Sequence, residues 1–140
     1  SEEEAVLAAT RRFYDALEHL MLGKGLEPMF EAWHHTDRVT SGHPLGDWAS
    51  GWREVEATWR IFADFGRPEM GGSKVTELQA RVYGELAYTT CVFVTAPFAG
   101  GLKLNCTNVL HRQDGVWKIV HHHADKAPGL EKTMEDLAGG

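Results

Sequence analysis

Cysteine is scarce, with two in 140 residues and no C-x-x-C pair. That count excludes a disulfide-built scaffold and a cysteine-rich zinc module. Positive charge is short as well: 14 Lys and Arg stand against 20 Asp and Glu, a formal net charge of −6. A surface of that sign repels phosphate backbones and acidic headgroups, so neither nucleic acid nor membrane is expected as a partner. No apolar run approaches the roughly 18–20 residues that span a bilayer. No signal-peptide pattern opens the sequence, and a cytoplasmic location is expected. No G-x-S-x-G elbow occurs, and Gly71-Gly72 and Gly100-Gly101 lack the Lys and helix of a phosphate-binding loop. Repeats, linkers and low-complexity segments are missing too. One domain over 1–140 is expected, with a core at about 4–125 and a polar tail at 126–140.

What is present is ordinary in bulk and unusual in detail. Hydrophobic residues at 43% and charged ones at 24% are globular values, sufficient for a single core. Eight His and five Trp carry most of the remaining information. Val6, Phe13, Leu17 and Leu20 recur at helical spacing over 1–22, and Ser1 with Glu4 has capping-box spacing. A shorter helix is expected at Leu26–His34, then a strand over Arg38–His43 stopped by Pro44. Gly51 opens a third helix with the stripe Trp52, Val55, Trp59 and Phe62. From Ser73 onward Val, Thr and aromatic residues predict strands near 74–83, 86–96, 102–112 and 116–125. Helices first and a four-strand meander second predict an α+β domain, with helices on one face of an antiparallel sheet.

The turn Asp114-Gly115 sets the register of the last hairpin. With these as the two loop residues, Leu110 opposes Ile119, Asn108 opposes His121 and Cys106 opposes His123. Trp117, Ile119, Leu110 and Leu104 make that the core face, so Asn108, His121, His123 and Asp125 are expected to point toward the helices. Val109, His111, Val120 and His122 are expected on the outer face. A single bulge would exchange part of this assignment.

The run Thr107-Asn-Val-Leu-His-Arg112, then Asp114-Gly-Val-Trp-Lys-Ile-Val-His-His-His123, resembles the final hairpin of the SnoaL-like branch of the nuclear transport factor 2-like, or ketosteroid-isomerase-like, superfamily. Trp33, the segment ending His43-Pro44, and Gly51-Trp-Arg-Glu-Val-Glu-Ala-Thr-Trp59 resemble the middle of that branch. The resemblance covers about residues 4–125 and implies a curved sheet wrapped on three N-terminal helices into a cone with a pocket at its open end. It also implies a homodimer through the outer sheet face. The ketosteroid isomerases of this superfamily pair a Tyr with an Asp base; Tyr14 matches in helix position, while Asp37 and Asp47 both stand open as the acid. Polyketide cyclases place a carboxylate at the end of the sheet, which Asp125 matches loosely. Iota-class carbonic anhydrases carry His-His-His-Ser-Ser on this strand, where here His121-His122-His123 are followed by Ala124 and Asp125.

Candidate chemistry then centres on His121 and His123 as general acid–base groups, with Asp125 as a further carboxylate. Tyr14, Trp33, His43, Trp48 and Asn108 are expected to bind a small organic molecule in an apolar pocket. His43, His121 and His123 could hold a divalent metal weakly, but no cofactor is expected. Cys91 and Cys106 read as small core residues. Three functions follow: a cofactor-independent lyase, isomerase or hydrolase; a binding or assembly module without catalysis; or a carbonic-anhydrase-like enzyme.

Overall fold

The structure is a computed structural model that describes residues 1–139. Helix α1 (Glu2–Met21) begins at Ser1, whose hydroxyl accepts from the Glu4 amide, with Glu2, Glu3 and Glu4 at the positive end of the helix dipole. Its Val6, Phe13 and Leu20 are fully buried, which is the face the 3.6-residue period predicts. Helix α2 is shorter than expected (Glu27–Glu31), with Pro28 in its first turn. Strands β1 (Thr40–Gly42) and β2 (Ala49–Ser50) precede helix α3 (Trp52–Asp64), whose Val55 and Trp59 are buried. Four long strands follow: β3 (Lys74–Tyr83), β4 (Leu86–Val94), β5 (Lys103–Gln113) and β6 (Val116–Lys126). These lie within a residue or two of the expected boundaries.

The six strands form one curved sheet in the order β2-β1-β6-β5-β4-β3, and α1 and α3 pack on its concave face as an α+β cone. The strand expected over Arg38–His43, as an edge strand, is the interior strand β1. It lies between β2 and β6, and its pairing with β6 is parallel. Just before it, Trp33 bridges Ile119, where Ile119 N–H donates to Ala32 O at 2.9 Å and His34 N–H to Ile119 O at 3.1 Å. The chain thus covers the free edge of β6 along most of its length, leaving few unpaired backbone groups.

The tail is more ordered than its polar composition suggests. Helix α4 (Leu130–Ala138) carries Leu130, Met134 and Leu137, all exposed, and Gly140 lies outside the described residues. No helix among the described residues is long and apolar enough to cross a membrane.

The last hairpin departs from its expected register at one place. Leu110 pairs with Ile119 as anticipated, but Val109 pairs with His121, so Val120 is an extra residue in β6. A bulge of this kind shifts every later side chain by one position and exchanges the faces. Asn108 therefore opposes His122, Thr107 opposes His123 and Cys106 opposes Ala124. His122 is buried with Ile119 and Ala124, whereas His121 and His123 are half-buried on the opposite face.

Candidate functional site

The cone encloses an apolar cavity of about 540 Å³ between α1, α3 and the sheet. Leu17 and Met21 of α1, Trp59 and Phe62 of α3, and Phe93 and Leu104 of the sheet form its walls. Such a volume suits a small organic molecule. The only titratable side chains lining it, among the described residues, are Tyr14, Glu18, His43, Cys106 and His122.

Two of these, Tyr14 and His122, belong to one polar floor, which Asn108 and Cys91 complete. His122 Nδ1 lies 2.7 Å from Asn108 Oδ1, and Asn108 Nδ2 donates to the Tyr14 hydroxyl at 3.0 Å. Cys91 Sγ donates to the same hydroxyl at 3.2 Å. Asn108 is fully buried with both ends of its amide engaged, as a polar group at such depth requires. Because His122 donates through Nδ1, its neutral ring carries a free lone pair on Nε2. Phe13 packs against that ring with centroids 4.8 Å apart. The Tyr14 oxygen accepts two hydrogen bonds, which leaves its own proton for an acceptor in the cavity.

His43 lies across from this chain, its ring 5.7 Å from that of His122 and edge-on to Trp59 and Phe62 at 4.9 and 4.7 Å. Its Nε2 is 3.4 Å from the Ser41 hydroxyl. Burial, reinforced by the neighbouring His123, lowers the His43 pKa to about 4. Burial lowers His122 well below the ordinary histidine value, with His43 the next contributor. Burial likewise raises the Tyr14 phenol. At neutral pH the floor holds two neutral imidazoles and a protonated phenol, a base and a hydrogen-bond donor in an apolar chamber. Glu18 accepts from Gly72 N–H and the Ser73 hydroxyl, each at 2.8 Å.

The structure brings Tyr14, His43 and Asn108 into the interior and removes the other expected members. His121 lies on the outer face, its Nδ1 2.6 Å from the Thr40 hydroxyl, and His123 sits beside Gly42 there. Both were expected inside, and the extra residue at Val120 is the reason. Asp125 is exposed and accepts from the Lys126 amide, and Asp37 and Asp47 are exposed too. Trp33 is a core residue at 1% exposure, packed on Phe13 and Trp59 rather than lining the cavity. Trp48 is 61% exposed and covers His121 and His123 on the outer face, with centroids 5.7 and 5.0 Å away. A pocket wall made of Trp33 and Trp48 is therefore replaced by Trp59 and Phe62. His43, His121 and His123 do not converge, because the sheet separates the first from the other two. Among the described residues no group of three or more His, Cys, Asp or Glu is placed to hold a metal ion. The triple histidine likewise contributes one ring to the cavity and two to the outer surface.

Sequence reasoning missed His122, Trp59 and Phe62 as site residues. Trp59 and Phe62 were legible as a helix stripe, and a stripe on a cone helix lines the interior whether or not the interior is filled. His122 had no local signal, since its face depends on a bulge two residues away.

Comparison with known proteins agrees with this architecture. Residues 6–125 match the family model described as the SnoaL-like domain. A candidate dehydratase of the NTF2-like family from Streptomyces avermitilis superposes with a TM-score of 0.74 at 23% identity, covering 91% of this chain and 97% of that one. A candidate calcium/calmodulin-dependent protein kinase type II association domain from Thiobacillus denitrificans gives 0.68 at 26% identity, covering 85% and 92%. Among curated proteins, the F-box protein SKIP8 of Arabidopsis thaliana is 25% identical over 121 residues, 86% of this chain and 48% of that protein. The chain thus spans about half the length of that relative. With the matched region running from α1 to the end of β6, the chain belongs to the SnoaL-like domain family.

Proposed function

We propose that the cavity binds a small, largely apolar molecule bearing one carbonyl or hydroxyl group, and that His122 acts there as a general base. The observation that carries this reading is the His122–Asn108–Tyr14 chain at the floor of an otherwise apolar chamber. Tyr14 would donate to the ligand oxygen while Nε2 of His122 takes a proton from the adjacent carbon. Asn108 holds the imidazole in the tautomer this needs. His43, kept neutral by burial, is the second group able to relay that proton. The chemistry is a cofactor-independent proton transfer of the isomerase or lyase kind.

A small aryl ketone tests the reading directly. Its binding should quench Trp59, and its α-hydrogens should exchange with deuterium in heavy water, read by NMR. The variant His122→Gln should lose exchange by about 10²-fold or more, the usual contribution of a general base. Binding with no exchange above that of free imidazole would leave a binding module without catalysis, the reading favoured by the close packing of His122 on Phe13. No binding at all would remove both.

The outer sheet face supports a homodimer as the assembled form. Tyr88 is exposed there opposite half-buried Val109, and Trp48 lies open over two histidines. A free face this apolar is costly to leave in water. His122 is not part of it, contrary to the expected register, but Val109, His111 and Val120 are half-exposed there. Light scattering at micromolar concentration should give the mass of two chains, and Val120→Asp should shift it toward one. A monomeric wild type would refute the dimer.

A further inference from the structure

Cys91 and Cys106 face each other directly across β4 and β5. Both thiols are free, both are buried, and both point to the concave side of the sheet. The bonds Thr95 N–H to Leu102 O and Arg112 N–H to Glu85 O bracket this pair in the same ladder phase. Cys91 and Cys106 therefore occupy a hydrogen-bonded position, where opposed Cα atoms lie ~5.5 Å apart. That Cα separation falls inside the range a disulfide spans. Cys106 lines the cavity, which gives a small reagent a path to the pair from outside.

We propose that Cys91 and Cys106 are a redox site, closed to an intramolecular disulfide by a small hydroperoxide that enters the cavity. One thiolate attacks the peroxide oxygen; its S–O bond forms as the O–O bond breaks, and the leaving oxygen takes a proton to become water or an alcohol. The second sulfur then displaces the hydroxyl of that sulfenic acid. The S–S bond forms, and its proton leaves with the hydroxyl as water. Two thiols are oxidised and one peroxide is reduced. A hydrogen bond from Cys106 holds Cys91 below the ordinary thiol range, while Cys106 itself is raised by the same contact and by burial. The two sulfurs are thus unequally poised, Cys91 lowered and Cys106 raised, and Cys106 is the one that lines the cavity. Closing the bond also withdraws the Cys91 thiol from the Tyr14 hydroxyl, linking the cavity floor to redox state.

The full chain, treated with a modest excess of hydrogen peroxide and alkylated under denaturing conditions, gives the readout by intact mass. Wild type should lose two hydrogens and take no alkyl group, and dithiothreitol should restore both alkylatable thiols. A non-reducing digest should yield one cross-linked peptide containing Cys91 and Cys106. Cys91→Ser and Cys106→Ser should each gain oxygen or stay reduced, without a chain losing two hydrogens. The proposal fails if wild type keeps both thiols under peroxide, adds oxygen to a sulfur instead of forming the bond, or links only between chains. None of these readouts requires the cavity to bind or turn over a ligand.

Discussion

Replacing Phe13 with alanine should destabilise the fold by about 3–5 kcal/mol, the range for removing a fully buried aromatic ring. Phe13 is completely buried, and its ring is 4.9 Å from Tyr14, 5.7 Å from Trp59 and 4.8 Å from His122. The surrounding rings come from α1, α3 and β6, elements held by the sheet, so they cannot collapse far into the space left behind. A domain of this size has about 5–15 kcal/mol of total stability, so the loss is a large share of it. Urea unfolding at pH 7.5 should show a lower midpoint with an unchanged slope. Phe65→Ala is the matched control, because Phe65 is 70% exposed and its removal should cost well under ~1 kcal/mol. Equal losses from the two variants would contradict Phe13 as the centre of the core.

Stability should also fall steeply as pH drops from about 6.5 toward 4, and this is the second large effect. His43 and His122 are both depressed in the folded state, the first to about 4 and the second well below its ordinary value. The unfolded chain binds protons at both positions from about pH 6.5 downward, while the folded chain stays neutral there. More protons on the unfolded state means that stability rises with pH through this window and levels off above it. For His43 alone the full difference is about 3 kcal/mol. With both rings depressed the dependence is steeper than His43 alone would give. Urea midpoints between pH 5 and 7 measure it, and His43→Gln should remove part of the slope. A pH-independent wild type across that window would mean that both rings take up protons in the folded protein as they do in the unfolded chain. The same depression should keep the proposed proton transfer active well below pH 6.5, because its base is still neutral there.

Most of the fold was legible from local pattern. The stripe Val6, Phe13, Leu20 predicted α1 and its buried face, and the stripe Val55, Trp59 predicted α3. Asp114-Gly115 placed the last turn correctly, and Leu110 opposite Ile119 held as expected. These features rest on period, turn geometry and capping, which act over a few residues and are written in consecutive positions. The parallel pairing of β1 with β6 was not legible, because Thr40–Gly42 and His121–His123 are far apart in sequence and nothing local marks them as partners.

The site divides along the same line. Sequence alone determined that an aromatic and histidine-rich chain of this length folds as helices on an antiparallel sheet, and that Tyr14, His43 and Asn108 sit on inward faces. Tertiary structure decided which histidine of 121–123 joins them. Side chains on a strand alternate with period two, so one extra residue at Val120 moves His122 inward and His121 and His123 outward. The bulge itself arises where β6 must pair with β5 on one side and with β1 on the other while the sheet curves around α1, a long-range demand that no short window of sequence records.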